Sequence, residues 1–326
     1  MKNRTLQLIL AILISAVGLF FAFKGVEWSD FINELKSVNL FWYVSGMLGM
    51  VLILFIRGFR WRIFLLPMGD FSAIRLYKGT AAGFFTNYIL PFRIGEVVRA
   101  YVTARLIGKK GAALLPSIVI ERMIDGISFI LFVVIFSLFI DLPLSNKQIV
   151  LVRVLLIAVL FIFIAAIFIY QRLSDKITAS LEKKEGKVAN FFKDLHHGML
   201  ALFQIRHPFK IIFYSFSIWF VTGLTYWAGI KACHLDLGFV EAFILMATAM
   251  IAIAIPAAPG YVGTFHAAIV AALIALNIDK NAAASYALLQ HFIGLIPICV
   301  LGFIHFLEAN VSFKEIRNIQ DTEKRP

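Results

Sequence analysis

Long apolar runs, separated by short polar breaks, set the rhythm of the chain. Leu6 to Phe23 is the first, flanked by Lys2 and Arg4. It is longer than the apolar part of a usual signal peptide, and no small-x-small cleavage site follows it. It is therefore read as a retained first span. Five more runs have the length of complete crossings: Asn39 to Ile56, Leu114 to Ile140, Ile149 to Tyr170, Phe209 to Ile230, and Ala283 to Phe306. A helix needs about 20 residues to cross a bilayer. Two further apolar stretches, 79–106 and 238–277, are interrupted, the first by Pro91 and Gly95, the second by Pro256, Pro259, Gly260 and Gly263. A proline inside a helix removes a backbone donor and clashes with the preceding turn. Each stretch is predicted to be two half-helices folded into a hairpin that enters and leaves by one face. Residues 171–208 form the one sizeable polar region. In it Val188, Phe191, Phe192, Leu195, Met199 and Leu202 recur at helical spacing among Lys187, Lys193 and His196. Two readings fit equally: a basic amphipathic helix on anionic lipid, or a solvated linker between halves. The tail, 307–326, is polar.

Composition agrees. Hydrophobic residues make up 61% of the 326 and charged residues 15%, where a soluble domain has about 45–50% and about 25%. Mean hydropathy is +0.87. This excludes an ordinary soluble enzyme, a disordered chain and a disulfide-stapled secreted domain. The net charge of +12 is explained by basic residues gathering on the cytoplasmic side, with no call on nucleic acid. With six crossings, two hairpins and a cytoplasmic N-terminus, the outer loops hold six basic residues (Lys24, Lys36, Lys147, Arg153, Lys231, Lys280) against seven acidic ones. If both hairpins crossed fully, Arg172 to Lys210, with eight basic residues, would move outside. The predicted fold is thus an all-α polytopic membrane protein: a first half over 1–170, a linker, and a second half over 209–306. The hairpins open from opposite faces. Paired Pro/Gly-broken segments of this kind mark an inverted repeat with a site near the midplane.

Three constellations could carry chemistry. In the first hairpin, Arg93, Glu96 and Arg99 are spaced three apart and share a helical face. The half-helix starting near Gly95 aims its N-terminal amides at the break. Two arginines beside a helix N-terminus suit a phosphate or other anion; a structural ion-pair network is the plainer reading. The second is Glu121-Arg122-Met123-Ile124-Asp125. Glu121 and Asp125 face the same way, to neutralise Arg93, Arg99 or Arg122, while Arg122 points aside. In the third, Pro256, Pro259, Gly260 and Gly263 break a helix, with Thr264 as a cap for the next one. His266, in its first turn, could donate to an anion or change charge during a cycle, or simply pack. The group Arg57, Arg60, Arg62 is read as an anchor at lipid phosphates. Cys233 and Cys299 are read as packing residues. No Walker A loop, G-x-S-x-G, H-E-x-x-H or paired C-x-x-C occurs, and no cofactor is implied.

Together, Leu90-Pro91-x-Arg93-x-Gly95-Glu96-x-x-Arg99, Glu121-Arg122-x-x-Asp125 and Pro256-x-x-Pro259-Gly260-x-x-Gly263 resemble the lysylphosphatidylglycerol synthase transmembrane-region family, also described as flippase-like or UPF0104 membrane proteins. The resemblance covers residues 6 to about 306. It implies a domain that moves a lipid headgroup between leaflets. In bifunctional relatives that domain precedes a soluble aminoacyl transferase, which this chain is expected to lack. Stand-alone relatives are associated with other lipids, polyprenyl-linked sugars among them. The family pattern has an acidic residue where this chain has His266, which bears on the charge of the substrate. The leading expectation is a flippase-like transporter of an anionic or phosphate-containing lipid in the bacterial inner membrane, with both termini cytoplasmic. The substrate would be a phospholipid or polyprenyl-linked lipid. The alternatives are an intramembrane lipid-modifying transferase with Glu96 or His266 as base, and a non-catalytic partner of a separate glycosyl- or aminoacyl-transferase.

Overall fold

A computed structural model describes residues 2–90, 94–137, 146–186, 207–255 and 258–311, with scattered positions between 189 and 200. Within these residues side chains are described from Leu10 onward, apart from Ser137 and six positions of 146–163. Arg93, Pro91 and Pro256 lie outside the described residues, as do most of the helically spaced positions of 188–202 and the tail beyond Val311.

The described residues form eleven α-helices and no strand. They are α1 (Lys2–Phe23), α2 (Trp28–Lys36), α3 (Leu40–Leu65), α4 (Ala73–Ile89), α5 (Gly95–Ile107), α6 (Gly111–Ser137), α7 (Asn146–Glu182), α8 (Pro208–Ala232), α9 (Phe239–Ala254), α10 (Thr264–Ala275) and α11 (Lys280–Glu308). Local chemistry marks the ends. Asn39 caps α3 by accepting from the amides of Phe41 and Trp42, and Asp279 caps α11 through Asn281 and Ala282. α4 and α9 each stop two residues before a proline, with the intervening Leu90 and Ile255 extended, as the residue before proline prefers.

Four helices are long and apolar enough to cross a membrane: α3, α7, α8 and α11. A fifth span is available if α1 and α2, which meet at an 88° bend, count as one. α6 is 27 residues long but carries Glu121, Arg122 and Asp125, so apolarity alone does not mark it. α7 runs on to Glu182. The polar region predicted to start at residue 171 therefore begins inside that helix. Leu151, Leu155, Phe161, Ile162 and Phe168 of α7 are exposed, which fits a helix facing lipid. This is a multi-pass membrane protein.

The broken stretches are helical hairpins. In the first, Gly79 faces Thr103, Gly83 faces Arg99, and Asn87 faces Gly95, an antiparallel register of small residues that lets backbones approach closely. A Cβ on Gly83 would sit 2.6 Å from the Cβ of Arg99. α11 runs alongside both hairpins. At its C-terminal end, Lys78 of α4 pairs with Glu308 at 2.7 Å, and Arg105 of α5 donates to the Asn310 carbonyl at 2.8 Å. At its N-terminal end, Asn281 accepts from the Glu27 amide at 2.9 Å, and nearby the Asn39 amide reaches the Ala232 carbonyl at 2.9 Å. The α4–α5 hairpin thus enters from the end where α3 finishes. The α9–α10 hairpin enters from the end where α3 begins. Their tips touch: the rings of Tyr88 and Tyr261 are 5.7 Å apart, and His291 of α11 reaches the Gly260 carbonyl at 2.9 Å.

Candidate functional site

A charged cluster sits where α3, α5, α6 and α8 converge. Arg99 grips Glu121 with two bonds, Nη1 to Oε1 at 3.0 Å and Nη2 to Oε2 at 2.8 Å, the bidentate geometry that a planar guanidinium favours. Its ring-facing side lies 3.9 Å from the Trp61 ring centroid, and the Trp61 indole donates to Ser117 at 2.9 Å. Arg57 Nη1 bonds Asp125 at 2.8 Å and reaches Glu121 at 3.4 Å. Arg60 donates to the Ser215 hydroxyl at 3.0 Å, while its other terminal nitrogen lies 2.6 Å from Asp125 and 3.2 Å from Glu121. Arg122 Nη2 bonds Glu121 at 3.0 Å and lies 3.2 Å from Asp125.

The depth of the cluster follows from helix rise. Arg57 and Arg99 are each eight residues from the C-terminal end of their helix, and Glu121 is ten from the start of α6. At 1.5 Å per residue that is about 12–15 Å, comparable with half of a roughly 30 Å hydrocarbon core. Charges at such depth persist when they are paired or line an aqueous cavity. Here the pairing condition is met, and burial differs across the cluster. Arg60, Arg99 and Glu121 are fully enclosed, with 0% of the side chain exposed. Arg122, at 37%, and Glu96, at 27%, face outward. The described cluster holds four guanidiniums, Arg57, Arg60, Arg99 and Arg122, against three carboxylates, Glu96, Glu121 and Asp125. It therefore carries one positive charge in excess. Phe84 lies under both Arg57 and Arg122, 5.4 and 5.9 Å from its centroid.

Several expectations change at this point. Arg57 and Arg60 are not anchors at lipid phosphates: they turn inward to Glu121 and Asp125, because the cost of burying those carboxylates alone exceeds the cost of burying the pairs. Only Arg62 of that group is at the surface, paired to Asp70 at 2.7 Å. Arg99 is spent on Glu121 and offers no free face to a ligand. Arg122 does not point aside, since its tip returns to both carboxylates of its own helix. Glu121 and Asp125 do face one way and do neutralise Arg99 and Arg122. The first amide of α5 is also taken, as Gly95 donates to Asn87 Oδ1 at 2.7 Å. Asn87, Arg57, Arg60 and Ser215 carry no motif of their own. The signal that could have raised Arg57 and Arg60 is charge at the inner end of an otherwise apolar run.

The second break is built around close backbone contact. Gly260 (φ 74°) and Gly263 (φ 96°) adopt left-handed conformations that suit glycine. A Cβ on Gly263 would lie 2.1 Å from the Ser15 carbonyl, and the Ala258 amide donates to Ser15 Oγ at 2.8 Å. Gly263 admits the backbone of α1, while Gly260 lies against the Tyr88 carbonyl of α4. Pro259 opens the 3₁₀ turn Pro259–Tyr261. The cap of α10 is Gly263, not Thr264, whose hydroxyl turns back to the Tyr261 carbonyl at 3.4 Å. His266 is 2% exposed. Its Nδ1 accepts from the Gly263 amide at 3.4 Å, and its ring packs on Phe23, Phe265 and His291. The break and the charged cluster are separate features on different helices.

The family model described as the lysylphosphatidylglycerol synthase TM region matches residues 8–302. Among curated proteins, a UPF0104 membrane protein of Methanocaldococcus jannaschii is 28% identical over 242 residues, which cover 72% of this chain and 98% of that relative.

Proposed function

The chain belongs to the lysylphosphatidylglycerol synthase transmembrane-region family, and on that premise we propose that it binds the phosphate of an anionic membrane lipid at Arg122 and passes the headgroup between leaflets. The observation that carries this reading is the excess positive charge of the described cluster, presented outward through Arg122, whose side chain is 37% exposed. Arg57, Arg60 and Arg99 are held by Glu121 and Asp125, so they serve as a fixed base that sets the potential at the mouth. Arg122 has only Nη2 engaged by hydrogen bonds among the described residues, leaving Nη1–H for phosphate oxygens, while Nε–H is covered beside Glu96. A guanidinium does not release its proton at neutral pH, so the role is electrostatic capture rather than acid–base chemistry.

The tip-to-tip meeting of the hairpins supports the transport step. Tyr88, Gly260, Tyr261 and His291 lie beside the middle of α11, and hairpins entering from opposite ends supply two elements that can open alternately. By the positive-inside pattern, the end of the bundle where α3 finishes is cytoplasmic and the headgroup enters there.

The test is leaflet exchange. Purified protein is reconstituted in phosphatidylcholine vesicles with a trace of headgroup-labelled phosphatidylglycerol, and exchange is followed with a membrane-impermeant quencher. The protein accelerates exchange over protein-free vesicles. Arg122→Gln removes a charged hydrogen bond of roughly 1.5–3 kcal/mol and slows exchange about 10- to 100-fold. Folded wild-type protein that leaves exchange unchanged defeats the proposal.

A further inference from the structure

We propose that Glu96 is a tethered competitor for the lipid anion: its carboxylate occupies Arg122 while the site is empty and yields that guanidinium to an arriving phosphate. The inference rests on the reading of Arg122 as the headgroup contact. It starts from a difference in geometry. Glu121 and Asp125 meet their arginines at 2.6–3.4 Å. Glu96 lies 3.6 Å from Arg122 Nε and 3.9 Å from Arg99 Nη1, beyond hydrogen-bond range. Glu96 Oε2 and Arg122 Nε are buried and without hydrogen-bond partners. The pair is thus in electrostatic contact but unbonded, its facing atoms covered and the rest of both side chains partly exposed.

Position favours exchange. Glu96 sits in the first turn of α5, where the helix end stabilises a negative charge, directly after the break. It can move toward water without disturbing Arg99, which is locked on Glu121. An incoming phosphate offers oxygens to the Nε–H that Glu96 leaves unbonded. Charge then balances: Glu96 leaves with one negative charge and a phosphodiester brings one. A ligand lacking an anion has nothing to exchange for Glu96.

The experiment measures binding of spin-labelled phosphatidylglycerol and phosphatidylethanolamine to the full chain in phosphatidylcholine nanodiscs. Glu96→Gln removes a competitor worth up to about 1 kcal/mol for a partly exposed pair, so both lipids bind about three- to fivefold more tightly. Glu308→Gln removes the same charge at the end of α11 and leaves affinity unchanged, which separates competition from a general gain of positive charge. Equal tightening by both variants overturns the proposal. So does weaker binding of phosphatidylethanolamine to Glu96→Gln, which would make Glu96 an ammonium receptor. Arg122→Gln distinguishes the two levels. If it leaves binding unchanged, the headgroup contact itself is misassigned. If it abolishes binding while Glu96→Gln changes nothing, only the competitor role fails. Because Glu96 makes no hydrogen bond among the described residues, Glu96→Gln lowers the thermal unfolding midpoint far less than Glu121→Gln does in the same nanodiscs.

Discussion

Replacing Glu121 by glutamine tests the physical core of the site. Four guanidiniums approach this carboxylate within 3.4 Å: Arg99, Arg122, Arg60 and Arg57. The substitution keeps shape and removes charge, so the described cluster changes from four positive against three negative groups to four against two. At an effective dielectric near 20, the pair to Arg99 at 2.8 Å attracts by roughly 6 kcal/mol. Part of that is offset, because desolvating the ions costs several kcal/mol each. The net loss is about 3–5 kcal/mol, the usual result of stranding a buried charge. That is a large share of the about 5–15 kcal/mol that holds a domain folded. Thermal unfolding of detergent-purified protein, calibrated with denaturant, reads it. The double variant Glu121→Gln/Arg99→Gln carries the sharper expectation: it is less destabilised than the sum of the two singles by about 1–3 kcal/mol, since contacting charges couple. A single variant costing under about 1 kcal/mol, with additive behaviour in the double, refutes the enclosed cluster and with it the fixed base beneath Arg122.

Two further outcomes follow from packing. Gly83→Ala places a Cβ 2.6 Å from Arg99 Cβ and 2.7 Å from the Gly95 carbonyl, so α4 and α5 must separate; overpacking of this kind costs about 1–3 kcal/mol, readable as a lower unfolding midpoint, and an unchanged midpoint contradicts the hairpin register. His266→Gln keeps an acceptor near the Gly263 amide but loses ring contacts to Phe23 and His291; stability falls by about 1 kcal/mol while the pH profile of lipid exchange stays the same, and a shifted profile would return His266 to the working site.

Much of this architecture was legible in the linear pattern. The apolar runs, the two interruptions and the start of a half-helix at Gly95 follow from local rules, since helix formation and the avoidance of proline concern neighbours along the chain. Even so, proline alone does not make a break: Pro116 and Pro297 sit inside the continuous helices α6 and α11, where surrounding helices tolerate them. The shared face of Glu121 and Asp125 was likewise readable from four-residue spacing. Their partners were not. Arg57 lies 64 residues before Glu121, and Ser215 lies 155 after Arg60; no period links them. Gly263 was legible as part of a helix break, but that the Ser15 backbone of α1 packs against it was not.

The residues alone thus established a helical membrane protein, the segments that break, and a supply of charge too costly to leave bare in hydrocarbon, because each is a property of contiguous residues and their transfer energies. Which arginines are consumed internally, and which one still faces outward, emerged from packing α3, α5, α6 and α8 together. Charge pairing depends on separations of a few ångströms between distant parts of the chain, and those distances exist only once the helices have docked.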